Sequence, residues 1–122
     1  MTRFTHYREI PAYVTKDGSS IRELMHPDHH GSRQQSLAEA TVPPGTETRL
    51  HQHRNSEELY HITQGEGLMT LGDKTLHVVP GDTICIAPLT PHKIKNTGSF
   101  DLKILCCCAP AYAHEDTQLL DD

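Results

Sequence analysis

Residues 45–65 read GTETRLHQHRNSEELYHITQG, and the two histidines one residue apart, with a carboxylate behind them, decide how the rest of the chain is read. In an extended strand successive side chains point to opposite faces, so His51 and His53 look the same way and can reach one metal ion. Arg54, Asn55 and Ser56 suit a turn, and the run Leu59, Tyr60, Ile62 behind Glu57 suits a strand returning from it. A reversal at 54–56 carries Glu58 back beside the two imidazoles, with Tyr60 and Ile62 on the same inward face. Two nitrogen ligands and one oxygen ligand fit a borderline divalent metal and disfavour an all-oxygen calcium site.

Residues 81–96, GDTICIAPLTPHKIKN, supply a fourth candidate. Gly81-Asp82 is a turn signal, Thr83 to Ala87 reads as a strand, and Pro88 and Pro91 bracket a short loop before His92. His92 opens a strand with Ile94 and Asn96 on its own face. Histidines on strands are most often polar surface, and this chain has ten of them. A same-face pair, a hairpin return to Glu58 and a downstream His92 form a rarer combination than their parts.

These residues carry a family resemblance. Gly45, His51, His53, Glu58 and Gly65 stand at every fixed position of the first cupin motif, and Gly81, His92 and Asn96 resemble the second. Ala87 stands where that motif has proline, and Leu89 where it has glycine. The 15 residues between the motifs, Glu66 to Pro80, resemble the short spacing of small microbial cupins. The resemblance implies an all-β fold, the cupin-type jelly-roll β-barrel, with His51, His53, Glu58 and His92 as ligands of one divalent transition metal. Fe or Mn is favoured, with Zn, Ni, Co or Cu as alternatives.

Composition sets the frame. At 122 residues the chain is long enough for one core but not two. A hydrophobic content of 35% without Trp is low for an isolated monomer, so a homodimer is expected to supply further burial. The formal charge of −5 argues against nucleic acid as a partner, which needs a basic stripe. No apolar run approaches the ~18 residues of a membrane span, and the first residues lack the apolar core of a secretory signal, so a cytoplasmic protein is expected. Cys106, Cys107 and Cys108 are consecutive and only Cys85 is remote, which gives no disulfide framework and suits a reducing compartment. Alternation from Leu102 and Ile104 turns Cys106 and Cys108 inward, Cys106 being a candidate oxidisable lining residue of the metal cavity.

The remaining pattern is one of short strands and turns: 21–25, 36–42, 46–53, 58–63, 68–71, 75–79, 83–87, 92–96 and 100–108. Short strands at regular spacing imply a sandwich or barrel. The expected organisation is an N-terminal arm over 1–20, a barrel over 21–110, and a tail over 111–122 that is either irregular or frayed. The loop 26–32, HPDHHGS, reads as solvated rather than as a second metal site through His26, Asp28, His29 and His30.

Three His and one Glu would leave positions open on an octahedral ion, which suits a small-molecule substrate. Arg49 shares the parity of His51 and His53 and is a candidate to pair with a substrate carboxylate or phosphate, a rim salt bridge being the alternative. Tyr60 is a candidate donor or proton carrier, with core filling as its alternative. Among the activities that the cupin resemblance implies, the leading expectation is a metal-dependent dioxygenase. An isomerase or lyase acting on a sugar or uronate, and a non-enzymatic ligand-binding protein, are the competing ones.

Overall fold

Alternating burial builds this molecule from two sheets. The computed structural model describes residues 3–121. Eleven strands follow in order: β1 (Tyr13–Val14), β2 (Ser20–Met25), β3 (Ser36–Val42), β4 (His51–His53), β5 (Glu57–Gln64), β6 (Gly67–Leu71), β7 (Lys74–Val78), β8 (Thr83–Ile86), β9 (His92–Asn96), β10 (Leu102–Ala109) and β11 (Thr117–Leu119). Single turns of 3-10 helix at Tyr7–Glu9 and His114–Asp116 are the only helices among the described residues. None is long and apolar enough to cross a membrane.

One sheet has the order β1-β2-β3-β10-β5-β8 and the other β11-β4-β9-β6-β7, paired antiparallel throughout. This is the jelly-roll barrel expected from the sequence. Strict alternation along β5 and β10 turns Glu58, Tyr60 and Ile62, and Leu102, Ile104, Cys106 and Cys108, into the space between the sheets. Ile62, Met69, Ile94, Leu102 and Ile104 fill the closed end of the barrel, each almost fully buried and each contributing about 1.5–3 kcal/mol. At the other end the inward residues of β3 are Ser36 and Ala38, small side chains in register with Cys108 and Cys106. That difference in side-chain size leaves room for a site.

Both ends of the chain are built into the barrel. Val14 and Tyr13 pair with β2, and the turn after them buries Asp17 and Ser19. The tail, expected to be irregular or frayed, instead returns as β11, paired with β4 from Thr117↔His53 to Leu119↔His51. Strand β4 would otherwise be an open edge, and pairing satisfies its backbone groups.

Candidate metal centre

The three histidines come from one sheet and the carboxylate from the other. His51 and His53 alternate with the half-buried Gln52 along β4, and His51 faces His92 directly across the ladder to β9. All three imidazoles are buried, and one ring nitrogen of each lies within 4.8 Å of the others. Glu58 reaches in from β5, its Oε1 3.1 Å from His53 Nε2 and 3.6 Å from His92 Nε2.

Hydrogen bonds on the far side of each ring fix its tautomer. His51 Nδ1–H donates to the Arg49 carbonyl at 2.8 Å, and His92 Nδ1–H to the Thr90 carbonyl at 2.9 Å. The Thr117 hydroxyl donates to the Ala113 carbonyl, so its oxygen accepts from His53 Nδ1–H at 3.0 Å. Each ring then presents a bare Nε2 lone pair to the centre. The His92 Nε2 is buried without a hydrogen-bond partner among the described residues. With the rings neutral, three acceptor nitrogens and a carboxylate converge with no donor between them, an arrangement that a cation, a proton or a metal ion, relieves. The donor set therefore fits a divalent transition metal, which the three buried histidines could hold.

Electrostatics agree. Burial, and next the positive charge His92 can carry, lower the pKa of His51 below the usual 6.5. In the metal-free protein burial pushes the Glu58 carboxyl up, but His53 and His92, when protonated, donate to it from Nε2 and outweigh burial, holding it at about 2. The second oxygen of Glu58 accepts from the Cys108 thiol at 3.3 Å, a contact that follows from the Cys108↔Glu58 register. Tyr60 lies buried beside His92, ring centroids 6.0 Å apart, and burial followed by the Glu58 charge raises its pKa well above 10.0, so it stays a neutral phenol.

A cavity of about 40 Å³ adjoins the centre, lined by His51, His53, Glu58, Tyr60, Ala38 and Cys106 among others. Arg49 is absent from it. Parity would turn Arg49 inward only if the strand extended back through it, but β4 begins at His51. The Arg49 backbone N–H is taken by the Asp17 carbonyl at 2.8 Å, and its guanidinium pairs with Asp121 on the exterior at 3.1 Å. The rim salt bridge is thus the arrangement the fold provides. His26 is also structural: its Nε2–H donates to the Tyr112 carbonyl at 2.7 Å and its Nδ1 accepts the Asp28 N–H at 3.1 Å, leaving no free nitrogen.

Two carboxylates of this cavity escaped the sequence reading. Asp17, in the segment expected to be an N-terminal arm, is buried, with Oδ2 3.7 Å from His51 Nε2 and Oδ1 accepting from the Ser19 N–H and hydroxyl. Glu23 reaches the same cavity from β2. Only the alternation of Ile21 and Glu23 hinted at an inward carboxylate.

Comparison with known proteins agrees with this architecture. The family model described as Cupin domain matches residues 38–108. An uncharacterized protein of Methanocaldococcus jannaschii, MJ1618, is 56% identical over 96% of this chain and 94% of its own length. An oxalate-binding protein of Thermotoga maritima is 32% identical over 69% of this chain and 65% of its own length. Among solved structures, the polyketide cyclase RemF of Streptomyces resistomycificus superposes with a TM-score of 0.83 at 21% identity, covering 100% of this chain and 87% of that one. With the motif residues gathered at one centre inside a two-sheet barrel and the family model matching more than half of its length, the chain belongs to the cupin family.

Proposed function

We propose that this cupin is a metal-dependent enzyme in which His51, His53, His92 and Glu58 hold one divalent transition metal, iron or manganese in preference, and that it uses dioxygen to oxidise a small polar substrate. The observation that supports this is the convergence of three lone-pair nitrogens and a carboxylate on the wall of a cavity. An ion bound there supplies Lewis acidity toward substrate oxygens and, if redox-active, electron transfer to dioxygen. The protein's own part is orientation: the Arg49, Thr90 and Thr117 oxygens keep the imidazoles in the ligating tautomer, and the Cys108 thiol steadies Glu58. Ile94, Ile104 and Ala40 line the cavity with apolar surface. Tyr60, a buried neutral phenol, donates a hydrogen bond to the substrate.

Oxygen uptake by the iron-loaded protein, followed across small hydroxylated substrates, tests the reaction class. Consumption of oxygen in step with substrate loss is expected, whereas turnover that persists without oxygen contradicts it. The isomerase or lyase reading has support of its own, since a hydrogen-bond donor, Tyr60, and a buried carboxylate, Asp17, line one cavity.

The proposed setting is a cytoplasmic homodimer. Its four free thiols fit a reducing compartment. On the outer face of the larger sheet Leu37, Cys107, Leu59 and Cys85 lie in register across β3, β10, β5 and β8. A straight apolar row is self-complementary about a two-fold axis, and a second copy is the occupant it suits.

A further inference from the structure

We propose that Glu23 positions the ligand in this cavity and selects an uncharged head group that donates a hydrogen bond, such as a sugar or polyol hydroxyl, over a carboxylate. Glu23 faces inward from β2 opposite Ala38, whose single methyl leaves space in front of it. The Tyr13 hydroxyl donates to Glu23 Oε1 at 3.0 Å and fixes the side chain. Its other oxygen, Oε2, is buried and has no hydrogen-bond partner among the described residues. A buried acceptor left unpaired is costly, and a ligand that brings a donor removes the cost.

The charges around the cavity point the same way. Asp17, Glu23 and Glu58 line it, and no lysine or arginine does among the described residues. Asp17 and Glu58 lie against the histidine cluster and balance a divalent cation there. The charge of Glu23 is then left facing the ligand. An arriving carboxylate meets a like charge at low dielectric, whereas a hydroxyl meets an acceptor.

Shape adds a second constraint. The inner cavity, about 40 Å³, shares Tyr13, Glu23 and Tyr112 as wall residues with an outer basin of about 470 Å³ whose wall includes Ile10, Pro11, Asp28 and Glu115. A small head fits the inner space and a ring-sized remainder the basin. Glu23 lines both.

The inference rests on this cavity being the ligand chamber of the proposed metal centre. Calorimetric titration of metal-loaded protein with 1-phenyl-1,2-ethanediol and with mandelate tests it, because the two compounds share a phenyl tail and a hydroxyl and differ in CH2OH against carboxylate. Glu23→Gln is expected to shift the affinity ratio toward mandelate by about tenfold, with metal content unchanged. Tyr13→Phe, which releases Oε1 at a partly exposed position, is expected to weaken diol binding by about threefold. A ratio unmoved by Glu23→Gln, a shift toward the diol, or failure of both compounds to bind the wild-type protein overturns the proposal. If Glu23→Gln does not fold, unchanged diol affinity in Tyr13→Phe overturns it. A protein that takes up no metal counts against the metal centre, and the same ratio is then measured on the metal-free form.

Discussion

His51 sits among groups that make its protonated form costly, and this has a consequence for acid stability. Its pKa is lowered from 6.5, first by burial and then by His92, so in metal-free protein the unfolded chain binds this proton more readily than the folded one. Stability is therefore expected to fall as pH drops below 6.5. Glu58, held at about 2 against a usual 4.5, adds a second loss as pH falls from 4.5 toward 2. Thermal melts of metal-free protein between neutral pH and pH 5 check the first step, and a midpoint that rises over that range contradicts it. Leu89 allows a separate test. It adopts φ of 64° at the position where the second motif has glycine, is largely exposed, and donates its N–H to the His53 carbonyl at 2.7 Å. Left-handed backbone costs a branched residue ~1–2 kcal/mol, and glycine returns only part of that as chain entropy. Leu89→Gly is expected to stabilise the protein by about 0.5–1 kcal/mol in urea unfolding, and a lowered midpoint contradicts it. At this scale much was legible. Strand parity alone put His51 and His53 on one face, and the turn at 54–56 returned Glu58 beside them. Arg49 was misplaced because parity holds only within a strand, and the Asp17 carbonyl captures its N–H just before β4 begins. Asp17 itself carries no local mark, since only a long-range approach distinguishes a buried turn from an exposed one.

Among the elements, β11 does the work least visible in the sequence. It covers the edge of β4 and carries Thr117, whose oxygen orients His53. Its three residues, TQL, follow a polar, proline-containing tail, so neither length nor periodicity announces a strand. The partner that makes it one, β4, lies more than 60 residues away and is itself three residues long. The longer strands β3, β5 and β10 were readable because each buries alternate residues over seven or eight positions. Thr117→Val keeps the shape and removes the acceptor for His53 Nδ1–H. Metal affinity measured by competition with a chelating dye is expected to fall about 10- to 100-fold, and Thr117→Ser to recover most of it. An unchanged affinity in Thr117→Val would show that His53 is oriented some other way.

For the whole molecule, the division of labour between the sheets explains how a short chain builds both a core and a chamber. One end is closed by isoleucine, leucine and methionine, and the other is lined by the small Ser36 and Ala38 together with the histidines. The fold class was legible because cupin motif spacing and strand alternation agree, whereas the chamber's extra carboxylates arise only when β2 and the 13–20 segment dock. Assembly is a prediction at this scale. Light scattering is expected to give twice the chain mass, and Leu59→Glu, in the middle of the outer apolar row, to give monomer with the fold intact. A wild-type monomer, or a dimer indifferent to Leu59→Glu, contradicts that interface. The most direct test of the metal centre is an anomalous-difference map from crystals of the protein loaded with manganese. The expected result is one strong peak bonded to the Nε2 atoms of His51, His53 and His92 and to the Glu58 carboxylate. A map with no peak there, or with its peak on other side chains, contradicts the metal centre.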